Sequence, residues 1–323
     1  MVNSLFSKKD IFLRKKHDPC FEAWIKDLPE NFNGVVCDTI DRDSEGNSGG
    51  KPRWVKVRES VNGKLSENSR IAIYKEPDYD EVEGPYAEKM WSILGKLVLP
   101  NCVVPDIDII SDPREKMVPG VLSYCIADKE KEDMIEIRNI LRWNGISEKD
   151  MLQNDDRLYT KELLNHIKAY IKDDEKYNEI EGEIVKVILL DCVTNSLDRH
   201  PDNWCVIFNH KTGKYRVGLY DNTVSFVNMI SPRPGVVVDG NWGRIFIKVE
   251  NENGRTSDKG NEVIKYIHQE YPEYFNEFTE SFSSKVEEFC YLIGEDKYRE
   301  VTKSMRKRNS YLKSLDRDER DFD

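Results

Sequence analysis

Asn195-Ser196-Leu197-Asp198-Arg199-His200-Pro201-Asp202-Asn203-Trp204 is the stretch that decides how this chain is read. Upstream of it, Ile180 to Leu190 is rich in apolar residues, which marks a central buried helix. Downstream, Cys205 to Phe208 reads as a strand and Lys211-Thr212-Gly213-Lys214 as a turn. A second strand, Tyr215 to Tyr220, then runs into Asp221-Asn222. Asp198 and Asn203 therefore fall on a loop between a buried helix and a β-hairpin, and Asp221 falls just past the hairpin.

Phosphoryl transfer asks for this kind of layout. It needs little covalent chemistry from the protein and much positioning and neutralisation of charge. One carboxylate orients the proton of the attacking hydroxyl, while a second carboxylate and an amide oxygen hold magnesium against the phosphates. In protein kinases the catalytic-loop Asn follows its Asp at the offset that separates Asp198 from Asn203. The plainer alternative is a helix cap in which Asp198 and Arg199 pair with each other. It leaves Asn203 and Asp221 without a purpose. Histidine is a frequent base, but Asp198 is the better candidate here, with His200 second.

The string Asp198-Arg199-His200-Pro201-Asp202-Asn203-Trp204, its hairpin and Asp221 resemble the catalytic loop of the HipA-like serine/threonine kinases. They look nearest to the small single-chain members of the cell-translocating kinase type. The same Asp-Arg-His-x-x-Asn string occurs in phosphatidylinositol 3- and 4-kinases, distant relatives on the same general fold. The resemblance covers residues 180 to 230 and, more weakly, 45 to 126. It implies an α+β, two-lobed protein-kinase-like fold, with a β-rich N-lobe over residues 1–127, a helical C-lobe over 128–323 and the ATP site between them. It implies transfer of the γ-phosphate of ATP, with Mg2+, to a serine or threonine of a protein, and autophosphorylation. Asp198 would orient the acceptor, and Asn203 and Asp221 would hold the magnesium. The chain departs from the family pattern in two places. Ser196 stands where relatives often have Asn, and Asn222-Thr223 follows the metal-binding Asp in place of Phe-Gly.

The upstream half supplies candidates for the other kinase parts. Trp54 to Arg58 and Ile71 to Tyr74 read as strands, and Asn62-Gly63 signals a turn. A helix follows from about Pro85 to Lys96, with Tyr86, Met90, Ile93, Leu94 and Leu97 as its apolar stripe. Kinase chemistry needs a Lys at the phosphates held by a helix Glu. Lys75, at the end of the second strand, fits the Lys, and Glu88 fits the Glu, with Glu83 as its substitute. Taken singly they read as two solvated charges; their order, after the catalytic loop, singles them out. Two more strands are expected near Val103 to Ile110 and Gly120 to Ile126.

By resemblance, Ser44 to Lys51 is the phosphate-binding loop, with Gly46, Ser48 and Gly49 at the nucleotide. Composition alone would make it a linker, and Pro52 and a strand follow it where a Walker-A loop would start a helix. The family also implies that Ser44 or Ser48 is autophosphorylated, which ejects the loop. Tyr124 and Ile126 fall at the inter-lobe hinge, where backbone groups would bind adenine.

Composition narrows the rest. The chain has 323 residues and a net charge of -11. So acidic a protein is a poor candidate for sequence-independent nucleic-acid or anionic-membrane binding. Its basic run, Lys303 to Lys313, reads as a solvated face of a C-terminal helix. Phe275, Phe278, Phe282, Val286, Phe289 and Ile293 form a core-facing helical stripe. Seven cysteines without a C-x-x-C pair fit buried thiols in a reducing, cytoplasmic compartment. The sequence shows neither a secretory signal nor a stretch near the ~20 apolar residues of a membrane span, so a cytoplasmic location is expected, with export by a route that leaves no N-terminal signal still open. The longer HipA proteins carry an N-terminal subdomain that pairs with a DNA-binding antitoxin. Only about forty residues precede the glycine-rich loop here, so an antitoxin-like partner stays open. Two rival readings remain: a lipid or inositol kinase, and a nucleotide-binding pseudokinase used for interaction.

Overall fold

The computed structural model describes residues 34–39, 53–61, 64–75, 84–111, 119–128, 130–146, 160–222, 224–226, 229–230, 242, 244–250 and 255–318. The chain divides into two compact units, Met1–Lys89 with Pro105–Cys125, and Met90–Val104 with Ile126–Asp323.

The first unit is built on one five-stranded antiparallel sheet in the order β1-β2-β3-β5-β4. Its strands are β1 (Gly34–Thr39), β2 (Arg53–Val61), β3 (Lys64–Lys75), β4 (Ile107–Ser111) and β5 (Pro119–Tyr124). Val61 pairs with Lys64 where β2 and β3 meet, so the strands flank the Asn62-Gly63 turn signal, which itself lies outside the described residues. β3 runs longer than Ile71 to Tyr74 because β2 pairs along almost its whole length, from Lys64 to Tyr74, while β5 pairs with its other edge at Ala72 to Lys75. Ala72 and Tyr74 are buried on one face while Ile71 stands exposed, the alternation of a sheet covered on one side. Helix α1 (Gly84–Val98) follows β3; Pro85 sits in its first turn, where a missing N–H costs nothing.

The second unit packs around helix α4 (Asp174–Thr194). From Ile184 to Val193 the helix is buried on nearly all sides, with Lys186 as the partly exposed exception. It contacts α3 (Thr160–Ile171), α5 (Gly260–Glu270), α6 (Pro272–Ile293) and α7 (Arg299–Asp318). The stripe from Phe275 to Ile293 is fully buried on α6 and fills this core. Replacing one of its phenylalanines with alanine would cost about 3–5 kcal/mol.

Two small sheets complete the unit, so this half is less purely helical than its sequence suggests. One is a three-stranded sheet, β6 (Glu132–Glu136), β7 (Trp204–Asn209) and β8 (Tyr215–Leu219). The other is the hairpin of β9 (Arg244–Glu250) with β10 (Thr256–Lys259). The charged residues Glu132 and Asp133 open β6, which then leads into the short helix α2 (Ile137–Trp143). Charges suit β6 because it is an edge strand, paired on one side with β7. On the other edge, Val103 adds a parallel bridge to Gly218 of β8. Among the described residues no helix is long and apolar enough to cross a membrane.

Candidate active site

The loop that carries Asp198 begins where α4 stops, and its backbone bonds show why it stops there. Asn195 adopts the left-handed conformation (φ 50°), which asparagine tolerates better than most side chains. The Ser196 N–H then turns back to Asp191 O at 2.9 Å and does not continue the helix to Cys192. Leu197 N–H donates to Val224 O at 3.0 Å, and Phe226 N–H to Thr194 O at 2.6 Å. The start of the loop is thereby laid against the segment that follows Asp221. The far end is fixed in the same way, by Asn203 N–H to His200 O at 2.8 Å and Tyr220 N–H to Asn203 O at 3.0 Å. Asn203 and Asp221 are thus neighbours through the β7–β8 ladder, whose rung Trp204–Leu219 lies just inside them.

Arg199 ties these pieces together. It is buried and donates to both carboxylate oxygens of Asp191 at 2.9 Å, from Nε and Nη2. Nη1 reaches the Asn203 carbonyl at 3.2 Å and the Tyr220 carbonyl at 3.4 Å, and Nη2 also reaches Asn222 Oδ1 at 2.5 Å. The Trp91 ring covers the guanidinium 4.9 Å away. One side chain so joins the helix, the Asp198–Asn203 loop and the segment just after Asp221. Burial holds the Asp191 carboxyl above its ordinary pKa, and the Arg199 guanidinium offsets only part of that rise. A helix cap with Asp198 paired to Arg199 is not what forms.

Asp198 pairs instead with His200 Nε2, and both side chains are partly exposed. The hydrogen bond that His200 donates to the Asp198 carboxylate raises the His200 pKa above its usual value, against an opposing effect of burial. Asn203 donates its amide nitrogen to the Asp198 backbone carbonyl at 2.5 Å. With the nitrogen committed, its oxygen is the atom it can offer a cation. Asp221 holds a left-handed backbone, φ 54°, which few non-glycine residues adopt and which is concentrated at functional sites. Among the described residues no group of three or more His, Cys, Asp or Glu could hold a metal by itself.

The first unit brings together Lys75 and Glu88. Lys75 Nζ lies 3.1 Å from both carboxylate oxygens of Glu88. The Glu88 side chain is wholly buried, while that of Lys75 is 21% exposed. Tyr124 is buried; its hydroxyl donates to Asp108 at 2.9 Å, and Arg70 stacks on its ring. Its N–H bonds Asp106 O, and the Cys125 N–H bonds Ile71 O. Both amides serve the sheet. Ile126, in the second unit, packs towards β8 through the bare Gly218, where an added Cβ would come within 2.8 Å of it. Gly46, Ser48 and Gly49, together with Ser44 and Glu83, lie outside the described residues.

Sequence reading passed over Asp191, Asn222 and Trp91. Asp191 had a legible signal: a lone carboxylate at the end of an apolar run on a buried helix must find a partner inside. Arg308 was grouped with a solvated face. Lys303, Lys307 and Lys313 are exposed as expected, but Arg308 is buried and Arg306 pairs with Glu287 at 2.7 Å and with Glu295.

No protein-family model matches the sequence, and no curated protein matches it. Solved structures do. A HipA chain from the Shewanella oneidensis MR-1 HipA–HipB–operator DNA complex aligns with a TM-score of 0.51 at 12% identity, over 92% of this chain and 71% of that one. The Helicobacter pylori proinflammatory kinase CtkA aligns with a TM-score of 0.49 at 10% identity, over 86% of this chain and 97% of that one. The chain shares its fold with HipA, so the HipA-like resemblance holds at the level of the fold.

Proposed function

We propose that this chain is a magnesium-dependent serine/threonine protein kinase that uses ATP and also phosphorylates itself. The observation that carries the reading is the Lys75–Glu88 pair. A carboxylate with no exposed side chain holds one ammonium at 3.1 Å through both oxygens, at the end of a strand and on the helix that follows it. Surface salt bridges between abundant Lys and Glu do not bury one partner completely. This pair supplies a positive charge of fixed position, which is what the α- and β-phosphates require.

The loop residues complete the chemistry. Asp198 carries a partly exposed carboxylate, held on one side by His200, on a loop whose backbone is anchored at both ends. It accepts or orients the proton of the acceptor hydroxyl. The Asn203 amide oxygen and the Asp221 carboxylate are hard oxygen donors of low total charge. They suit magnesium, which is commonly bound by one or two protein groups plus phosphate oxygens and water. ATP supplies the phosphoryl group. The acidic charge of the chain favours a protein acceptor over an anionic membrane.

The test is incubation with γ-labelled ATP and magnesium, alone, with a generic protein substrate and with phosphoinositide vesicles, beside Asp221→Ala. Label on protein that falls about 1,000-fold or more in the variant is expected, since metal coordination contributes several kcal/mol to the transition state. Label confined to the vesicles would make it a lipid kinase. Tight ATP binding without transfer would make it a nucleotide-binding module. Phosphopeptide mapping of the self-labelled chain should find Ser44 or Ser48 modified.

A further inference from the structure

Arg308 is a buried cation with no part in the chemistry described above. It lies on α7 and is 116 residues from Cys192 in sequence, yet its Nη1 donates to Cys192 O at 3.1 Å and to Val193 O at 2.6 Å. These are among the last carbonyls of α4. A helix leaves its final carbonyls without partners of its own, and here the backbone supplies only some of them. Leu197 N–H, which would serve Val193 O if the helix continued, is committed to Val224 O. Ser196 N–H, which would serve Cys192 O, is committed to Asp191 O, and Asn195 N–H reaches Cys192 O only at 3.4 Å. Thr194 O is taken by Phe226 N–H. The loop can therefore leave the helix in its observed direction because Arg308 donates where the backbone has turned away. A cation at a helix C-terminus is also favoured by the helix dipole.

The guanidinium also packs against an aromatic ring. The Trp242 ring lies 4.4 Å from it, and Tyr311 packs against Trp242 at 5.3 Å between ring centroids. Gly260, at the start of α5, leaves the room: an added Cβ would come within 3.3 Å of Trp242 and 3.4 Å of Cys192 O. Burial pushes the Arg308 pKa down to about 9, so it keeps its charge at neutral pH.

We propose that Arg308 is a positioning residue for the catalytic loop: its two hydrogen bonds to the end of α4 set where Asp198 stands against the Asp221 segment. This rests on the kinase reading for its effect on turnover, and on geometry alone for its effect on the loop.

The experiment compares Arg308→Ala and Arg308→Lys in the full chain with Arg306→Ala, a partly exposed arginine of the same helix. It reads kcat and KM for ATP, and amide hydrogen exchange over residues 194–203, each with and without added guanidinium ion. Arg308→Ala should lose about 100-fold in kcat, the cost of an ångström-scale misplacement. Its KM for ATP should change less than about threefold. Exchange over 194–203 should quicken, and guanidinium should restore both properties. Arg308→Lys should fall between Arg308→Ala and wild type, and Arg306→Ala should match wild type. Wild-type exchange and turnover in Arg308→Ala would overturn the proposal. So would accelerated exchange across all helices of the unit that guanidinium does not reverse, together with an Arg308→Lys variant no better than Arg308→Ala. If the wild-type chain transfers no phosphate, the kinase reading fails, and the exchange of 194–203 still decides the role of Arg308.

Discussion

Glu88 and Asp191 are both buried carboxylates that hold a cation, and they hold it to different ends. Glu88 grips Lys75 by a single point charge, and the lysine keeps 21% of its side chain exposed. Asp191 grips Arg199 through two parallel bonds, and the remaining donors of Arg199 go to Asn203 O, Tyr220 O and Asn222 Oδ1. One cation still has solvent access. The other has its donors committed inside the protein and is covered by Trp91. The contrast follows from side-chain chemistry. A guanidinium presents five donors in a rigid fork suited to a hub, whereas an ammonium is a compact charge on a flexible stem. Lys75 is thus the cation that stays partly accessible, and Arg199 the one committed to holding the loop together.

The largest effect should come from breaking the hub. Arg199→Met should cost about 3–5 kcal/mol in urea unfolding, because Asp191 is left buried and unpaired. Asp191→Leu combined with Arg199→Met should recover most of that stability, since a buried ion pair can often be exchanged for apolar side chains of similar volume. The double variant should nevertheless stay poor in turnover, because Asn203, Tyr220 and Asn222 lose their common partner. A fully stable Arg199→Met would erase the distinction between the two pairs.

Lys75→Met should act in the opposite sense. Turnover should drop about 100-fold or more, as expected when a preorganised charge is removed from the transition state. Its stability loss should be smaller than that of Arg199→Met, because water reaches the Lys75 site. Adding Glu88→Gln should regain stability without regaining turnover. A Lys75→Met variant that turns over normally while unfolding easily would make this pair structural too.

The smallest effect concerns the exposed pair of Asp198 and His200. The His200 pKa is raised in the folded chain by its bond to Asp198. Its stabilisation should therefore be complete below the unfolded value, about 6.5, and fade as pH rises through the higher folded value. Wild type should exceed His200→Gln slightly in thermal midpoint at about pH 6 and converge with it by about pH 9, as exposed pairs contribute little. A difference that grows with pH would reverse the assigned pairing.

Much of this molecule can be read locally. The buried run of α4, the phenylalanine stripe of α6 and the β7–β8 hairpin are periodic signals carried within a few turns or strands of chain. The spacing of Asp198, Asn203 and Asp221 is local too, because one loop and one hairpin connect them. The order of Lys75 and Glu88 was legible because the strand and its following helix are adjacent in sequence. The two-residue gap between Val61 and Lys64 was legible because turn chemistry acts over a few residues.

Which charge takes which partner was decided only in three dimensions. Asp198 sits beside Arg199 in sequence but pairs with His200, while Arg199 turns to Asp191 on the preceding helix. Arg308 looked like one more member of a basic run, yet α7 packs it under the end of α4, 116 residues away from Cys192. Sequence periodicity says which face of an element is apolar. It does not say which distant backbone carbonyl will lie under a given side chain once that face is buried. The sequence by itself determined the elements with strong local patterns and the order of the candidate groups along the chain, since both are short-range properties; weakly patterned elements such as β6 and the β9–β10 hairpin were not among them. Tertiary packing decided the buried partners, because a desolvated charge must take whatever donor or acceptor the assembled core brings within reach.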